Sequence, residues 1–515
     1  MKADKLLDAI GMIDADLVVQ ADKKAKNNYV KYMKWFLPVA AALLVVVALV
    51  PFLKQDEPIV DSILTEQTTG NESPSVGQTQ QNQNELSTEN PSSLVIVPPA
   101  DDNPLKPMVY SLKKAQYPEM VKYPSDWWSD MSAWRESKNE RKGYYGAGKN
   151  LDVFFKKTYK EFLSDSKNEN RLYSPLNVYM ALAMTAEITN GESRQQILDL
   201  LGADSISTLR KQANSVWNAN YSDDGAVTSI LASSLWLNKN VKFNEKTLDF
   251  LTTNYYASSY QGEMGSDEMN IALRNWLNQQ TGGMLSDQIS NVELDAKTVM
   301  ALATTIFYQA KWDAEFEKTN TENSTFHSTI GDMMCDFMNC TEYNGYYYWG
   351  NKFSATSKSL ANSGKMFFIL PDENVSVTDL LSDNEALSFM SSNGKWSNNK
   401  RIRINMSVPK FDVSSNMDLK NGLIKLGVAD CFDSEKSDFS SLCDGDGMSI
   451  SKVEHGVRVA IDEDGVVATA YTVVALDGSS RPSDDEIDFI IDRPFIFVIT
   501  SEDGLPLFTG VVNRP

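Results

Sequence analysis

The sequence predicts an α+β domain running from about Lys149 to Pro515, on three observations. Leu151–Leu163 (LDVFFKKTYKEFL) and Val178–Ile188 (VYMALAMTAEI) carry apolar residues at helical spacing. Segments such as SILASSLWL, KMFFILP, RIRINMSVP, GVRVAID and PFIFVIT are short, rich in β-branched or aromatic residues and bounded by turn residues, the pattern of strands. Helices and strands are mixed with no regular βαβ alternation, which indicates an α+β domain.

The rest of the composition bounds the possibilities. A chain of 515 residues that is 42% hydrophobic and 10% aromatic can bury a sizeable core. Its net charge of −21 describes an acidic body and argues against nucleic acid as a partner. Four cysteines in such a length do not make a disulfide framework. Cys335 and Cys340 are five apart and Cys431 and Cys443 twelve apart. One pair can close a loop in an oxidising compartment; otherwise all four are free buried thiols, and spacing alone does not choose.

Four segments precede the domain. Residues 1–34 read as a short cytoplasmic segment in which Leu6, Ile10, Ile13 and Leu17 recur at helical spacing, as in a small amphipathic surface helix. Trp35–Leu53 (WFLPVAAALLVVVALVPFL) is uncharged throughout and as a helix would span roughly 28 Å at about 1.5 Å per residue. It is expected to be a transmembrane anchor. Lys23, Lys24, Lys26, Lys31 and Lys34 precede it and only Lys54 follows closely, so the N-terminus is expected in the cytoplasm and the remainder outside the cell membrane. Residues 54–107, rich in Gln, Asn, Ser, Thr, Glu and Pro, cannot bury enough apolar surface to fold and read as a disordered stalk. Residues 108–148, with Trp127, Trp128 and Trp134, form an aromatic-rich extension expected to pack against the domain at 149–515.

A search for catalytic chemistry comes back empty. The chain has two histidines, His327 and His455, and neither has a recognisable catalytic setting. There is no G-x-S-x-G elbow, no H-E-x-x-H pair and no Gly-rich phosphate loop ahead of a helix. His327 with Cys335 and Cys340 matches no standard zinc spacing, and Asp444-Gly-Asp446-Gly lacks the bidentate Glu of a calcium loop. The expectation is no enzyme, no metal and no cofactor.

An ordered set of segments over the last 365 or so residues resembles the serpin family. It comprises YSPLNVYMALAMTAEITNGESRQQILDLLG (Tyr173–Gly202), NWLNQQTGGML (Asn275–Leu285) and TTIFYQAKWDAEF (Thr304–Phe316). FFILPDE and VPKFDVSSNMDLKNGLIKLGV follow, then ISKVEHGVRVAIDEDG and DRPFIFVIT…PLFTGVVNRP. The resemblance implies three β-sheets surrounded by about nine helices, with an exposed reactive loop near the C-terminus. It also implies inhibition of a serine endopeptidase as a suicide substrate. The protease cleaves the loop and becomes an acyl-enzyme, and the cut loop enters the main sheet as a new strand, trapping it. No catalytic residue is needed from the inhibitor. The partner is then a target serine protease, held covalently by a monomeric inhibitor.

Carried over by position, the resemblance makes Glu463 and Lys410 a pair at the loop base, and Ser174, Pro175 and His455 the shutter beneath the opening strands. Trp312 marks the breach. Asn177 and Thr304 stand exchanged relative to the family's usual serine and asparagine, a pair able to preserve the hydrogen bonding. Gly465, Val466, Val467, Ala468, Thr469, Ala470, Tyr471 and Thr472 form the hinge. If Val466 points inward, so do Ala468, Ala470 and Thr472, none charged and none proline, while Tyr471 lies on the outer face. By the family's usual loop length the reactive bond is Ser479–Ser480, with Leu476 and Arg481 as neighbouring candidates. Ser479 or Leu476 suits elastase-like or subtilisin-like proteases; Arg481 suits a trypsin-like one but precedes Pro482. A non-inhibitory serpin serving as a surface binding module is the alternative.

Overall fold

The computed structural model describes residues 41–51, 109–124, 129–164, 166–445, 447–466 and 485–515. The segments expected at 1–34 and 54–107 lie outside them, as do Trp127 and Trp128. The described residues hold eleven α-helices and two nine-stranded sheets.

The main sheet is built from β1 (Ala41–Pro51), β2 (Val109–Lys113), β3 (Thr228–Asn238), β4 (Ala257–Gly262), β5 (Met300–Lys311), β6 (Phe411–Asp418), β7 (Met448–Ile461) and β8 (Gly465–Val466). Their order is β6-β7-β1-β5-β3-β4-β2, with β8 on β5 and the two-residue Ser222–Asp223 on β3. β5 is buried along most of its length, with Met300 to Ile306 buried without alternation, as in a strand covered on both faces.

Two helices prepare the core between the sheets. In α1 (Asp152–Leu163), Phe154, Phe155, Thr158, Tyr159, Phe162 and Leu163 form the buried face at helical spacing. In α2 (Pro175–Ile188) every residue is buried, because the helix runs between β5 and the strand Pro506–Val512. Ser174 caps α2, its hydroxyl accepting from the Asn177 N–H, and Pro175 takes the first turn, where no donor is required. The larger core lies between the two sheets around α2. A smaller one lies on the opposite face of the main sheet, where Leu273, Trp276 and Leu277 of the helix Asp267–Gln280 meet Trp236.

The second sheet runs Glu486–Ile490, Asn399–Pro409, Gly331–Trp349, Phe353–Ser359, Lys365–Pro371, Phe495–Thr500, Pro506–Val512, Arg171–Tyr173, with Thr321–Ser328 on Gly331–Trp349. This replaces the expected three sheets by two. Gly331–Trp349 is 19 residues long, pairing with Thr321–Ser328 through its first half and with Phe353–Ser359 at its end. One strand thereby fuses what the resemblance counts as two sheets, and eleven helices stand where about nine were expected.

Residues 109–124 and 129–148 are part of the fold itself. β2 extends the sheet edge along β4, Val109 opposite Gly262, and Tyr117 packs against the rings of Trp217 and Tyr221 at 5.4 Å each. Trp134 is buried and donates its indole N–H to Asp224 at 3.0 Å.

The expected anchor is the main departure. Within Trp35–Leu53 the structure describes residues 41–51, and there the backbone is a strand rather than a membrane helix. Among the described residues no helix is long and apolar enough to cross a membrane. Val45, Val46, Val47 and Val50 explain how one stretch supports two readings, since a continuous apolar run rich in β-branched residues has no period to separate a buried strand from a helix.

Candidate functional site

The site lies at one end of the main sheet, where β7 delivers the chain into β8. Between them Asp462 makes the turn, its carboxylate accepting from the N–H of Asp464 at 2.9 Å and of Gly465 at 3.1 Å. Burial raises its carboxyl above the usual range against the pull of those hydrogen bonds. Gly465 is required sterically: a Cβ there would lie 2.4 Å from the carbonyl oxygen of Ala310. The glycine lets β8 lie on β5, Gly465 opposite Lys311 and Val466 opposite Ala310, with Val466 fully buried.

Glu463 faces the opposite way, into a polar socket. Its carboxylate accepts from Lys410 Nζ at 2.8 Å and from the Thr321 hydroxyl at 2.7 Å. Burial opposes its ionisation, but these hydrogen bonds and the Lys410 charge outweigh it and hold the carboxyl below its ordinary value. Trp312 packs beneath, buried, its indole N–H donating to the Asp462 carbonyl at 2.9 Å and its backbone N–H to the Asp464 carbonyl at 3.2 Å. Thr321 and Asp462 escaped sequence reasoning, although Asp462-x-Asp464-Gly465 has the composition of an Asx turn.

Further down the sheet, His455 of β7 is buried at the N-terminus of α2. Its Nε2 accepts from the Ser174 backbone N–H at 3.1 Å, which makes that nitrogen the unprotonated one. Burial lowers its pKa to about 3, so it is neutral at physiological pH. Asn177 Nδ2 donates to the Thr304 carbonyl at 3.2 Å, tying α2 to β5. Asn177 and Thr304 are thus brought together, through the Asn177 amide and the Thr304 backbone rather than through both side chains. The amide meets a backbone carbonyl, and the buried Thr304 hydroxyl has no partner among the described residues.

Between β5 and β7 lies β1, antiparallel to both. Ala41 stands opposite Tyr308 and Leu49 opposite Met300, while Ala42 faces Arg458 and Pro51 faces Met448. Nothing in the residue pattern signals this placement.

The remaining candidates fall elsewhere. Val467–Thr472, Leu476, Ser479, Ser480, Arg481 and Pro482 lie outside the described residues. All four cysteines are free; Cys431 and Cys443 are buried, whereas Cys335 and Cys340 are only partly so. His327 is exposed and paired with Asp332 at 2.8 Å. Among the described residues no three metal-ligating side chains cluster.

Comparison with known proteins accords with this geometry. The family described as Serpin (serine protease inhibitor) matches residues 149–515. The plasma serine protease inhibitor of Mus musculus is 29% identical over 397 residues, 74% of this chain and 93% of its own length. Plasminogen activator inhibitor 1 of Neovison vison is 27% identical over 384 residues, 70% of this chain and 90% of its own. The crystal structure of the thermophilic serpin tengpin in its native state superposes with a TM-score of 0.63 at 25% identity, covering 79% of this chain and 100% of that one.

Proposed function

The chain belongs to the serpin family, and from that premise we propose that it inhibits extracellular serine proteases as a suicide substrate. Its class is protease inhibitor, not enzyme. The protease acylates itself on the loop, at Ser479–Ser480 in this reading, and the cut strand follows Val466 down β5, carrying the protease with it. From Gly465 to Ser479 that strand would measure roughly 45 Å at about 3.3 Å per residue, enough to move an attached protein along the sheet.

The observation that carries the reading is the seating of β8. Gly465 and Val466 already occupy the first two pairings on β5, with Val466 buried. Strand alternation then turns Ala468, Ala470 and Thr472 to the face that Val466 takes, and all three are small and uncharged. Elastase-like or subtilisin-like enzymes are the proposed targets.

A cell-surface location follows from the composition of Trp35–Leu53. Outside the sheet this stretch has the length and apolarity of a single membrane span, with its flanking lysines on the cytoplasmic side. Resistance of the full chain in membranes to alkaline extraction tests that placement.

One observation favours the second reading, a non-inhibitory serpin acting as a surface binding module: β1 fills the place between β5 and β7 that a cut loop would need. Incubating the full chain with elastase and subtilisin, followed by denaturing electrophoresis, separates the two. A band near the summed masses that survives denaturation supports inhibition; cleavage without it supports the binding module.

A further inference from the structure

We infer that residues 41–51 plug the insertion track of the main sheet, so that the reactive loop enters only after this segment withdraws. The inference rests on the inhibitory reading of the same site and adds its regulation.

The register carries the argument. β8 and β1 lie end to end on the same strand: Gly465 and Val466 take Lys311 and Ala310, and Ala41 takes Tyr308. Gln309 alone separates them. Continuing β8 antiparallel along β5 brings Val467 opposite Gln309 and Ala468 opposite Tyr308, where Ala41 already stands. The loop can advance by one residue before it meets the plug.

The polarity agrees. β1 is antiparallel to both β5 and β7, the sense that a continuation of β8 must have, so plug and loop call on the same backbone donors and acceptors. Each such group accepts one strand at a time. The coverage is also complete, since β1 pairs along β5 from Tyr308 to Met300 and along β7 from Arg458 to Met448. No length of track remains for a second strand.

Sequence adds the condition for release. Residues 41–51 contain no charged or hydrogen-bonding side chain, so withdrawal into water exposes an apolar strand at a cost that scales with its area. A lipid bilayer removes that cost, and the surrounding stretch 35–53 is long enough to span one. The 57 residues between Pro51 and Val109 reach at most about 190 Å when extended, ample for either placement. The occupant to which the plug yields is therefore the loop, and the acceptor that takes the plug is a lipid phase.

Cysteine cross-linking in the full chain tests this. Val46 faces Ala303, and Val47 faces Leu302. Because narrow and wide pairs alternate along an antiparallel ladder, one of these two neighbours has the geometry for a disulfide. Val46→Cys with Ala303→Cys, and separately Val47→Cys with Leu302→Cys, are oxidised in lipid-free solution, and the bond is mapped by peptide mass. The expected result is a cross-link in at least one variant that abolishes covalent complex formation with elastase and subtilisin, restored on reduction in the presence of phosphatidylcholine vesicles. Transfer of the reduced variant into phosphatidylcholine vesicles before oxidation should suppress the bond. Failure of both pairs to link overturns the plug, as does a linked chain that traps protease as well as its reduced form. A bond that forms in a chain trapping protease in neither state upholds the occupancy and sinks the inhibitory reading separately.

Discussion

Lys410 Nζ lies 2.8 Å from Glu463 Oε2 at the point where the chain leaves the main sheet, the carboxylate nearly buried and the ammonium about a third exposed. A second donor, the Thr321 hydroxyl, completes the socket. Removing Lys410 leaves a buried carboxylate without its counter-charge. Lys410→Met should therefore destabilise the fold by about 1–3 kcal/mol and loosen the loop base, measured by denaturant unfolding and by proteolysis after Glu463.

The pH dependence of this pair has a definite sign. Glu463 is held below its ordinary value of 4.5 in the folded chain, so its stabilisation is fully present above that pH and is lost as pH falls through the lower folded value. Melting temperature followed below pH 4.5 should drop less steeply in Glu463→Gln than in the native chain. Equal slopes would remove Glu463 from the account.

His455 acts in a different window. Its folded pKa is depressed to about 3 from 6.5, so between these values the unfolded chain binds the extra proton and stability rises with pH. The contribution is complete above 6.5 and declines as pH falls toward 3. Substitution by a residue that does not titrate, His455→Gln, should flatten the stability profile across pH 3–6.5 while retaining an acceptor for the Ser174 N–H.

Asn177 ties α2 to β5 through the Thr304 carbonyl, and both residues are buried. Asn177→Ala removes a donor from a buried acceptor, at about 1–3 kcal/mol, and should loosen β5 over α2, easing exchange of the strand that lies beside β5. Loss of inhibitory activity on standing at 37 °C should be faster in the variant. An unchanged rate would contradict a role for this bond in holding the sheet.

Gly465 touches the Ala310 carbonyl too closely for any side chain, a Cβ falling 2.4 Å from that oxygen. Gly465→Ala should detach β8 from β5. Global stability should change little, because only two residues pair there, whereas the yield of covalent complex should fall as more loop is cleaved without trapping. Complex yield against cleaved product on a denaturing gel measures that ratio.

Sequence and structure diverge for identifiable reasons. Trp312, Lys410, Glu463 and His455 are scattered over some 150 residues, and only an ordered set of segments resembling a family relates them; no local pattern does. Thr321 was illegible because a lone threonine in a polar strand carries no signal until its partner is in place. β2 was missed because its pairing with β4 joins residues 109 and 262, and edge strands with mixed side chains show weak alternation. The strand within Trp35–Leu53 was illegible for the reason given by its valines: uniform apolarity specifies neither helix nor strand. The two sheets in place of three follow from the length of Gly331–Trp349, which passes through Asn344-Gly345 with a shift of register rather than a turn.

The central claim is that a protease becomes esterified to the cut loop and stays so. Intact-mass measurement on a denatured mixture of the full chain, carried in phosphatidylcholine vesicles, with subtilisin or elastase tests it most directly. The account predicts an adduct whose mass is that of the protease plus residues 1–479 of this chain, with the peptide beginning at Ser480 released on denaturation. Recovery of unmodified protease alongside a chain cut within residues 467–484 would contradict it.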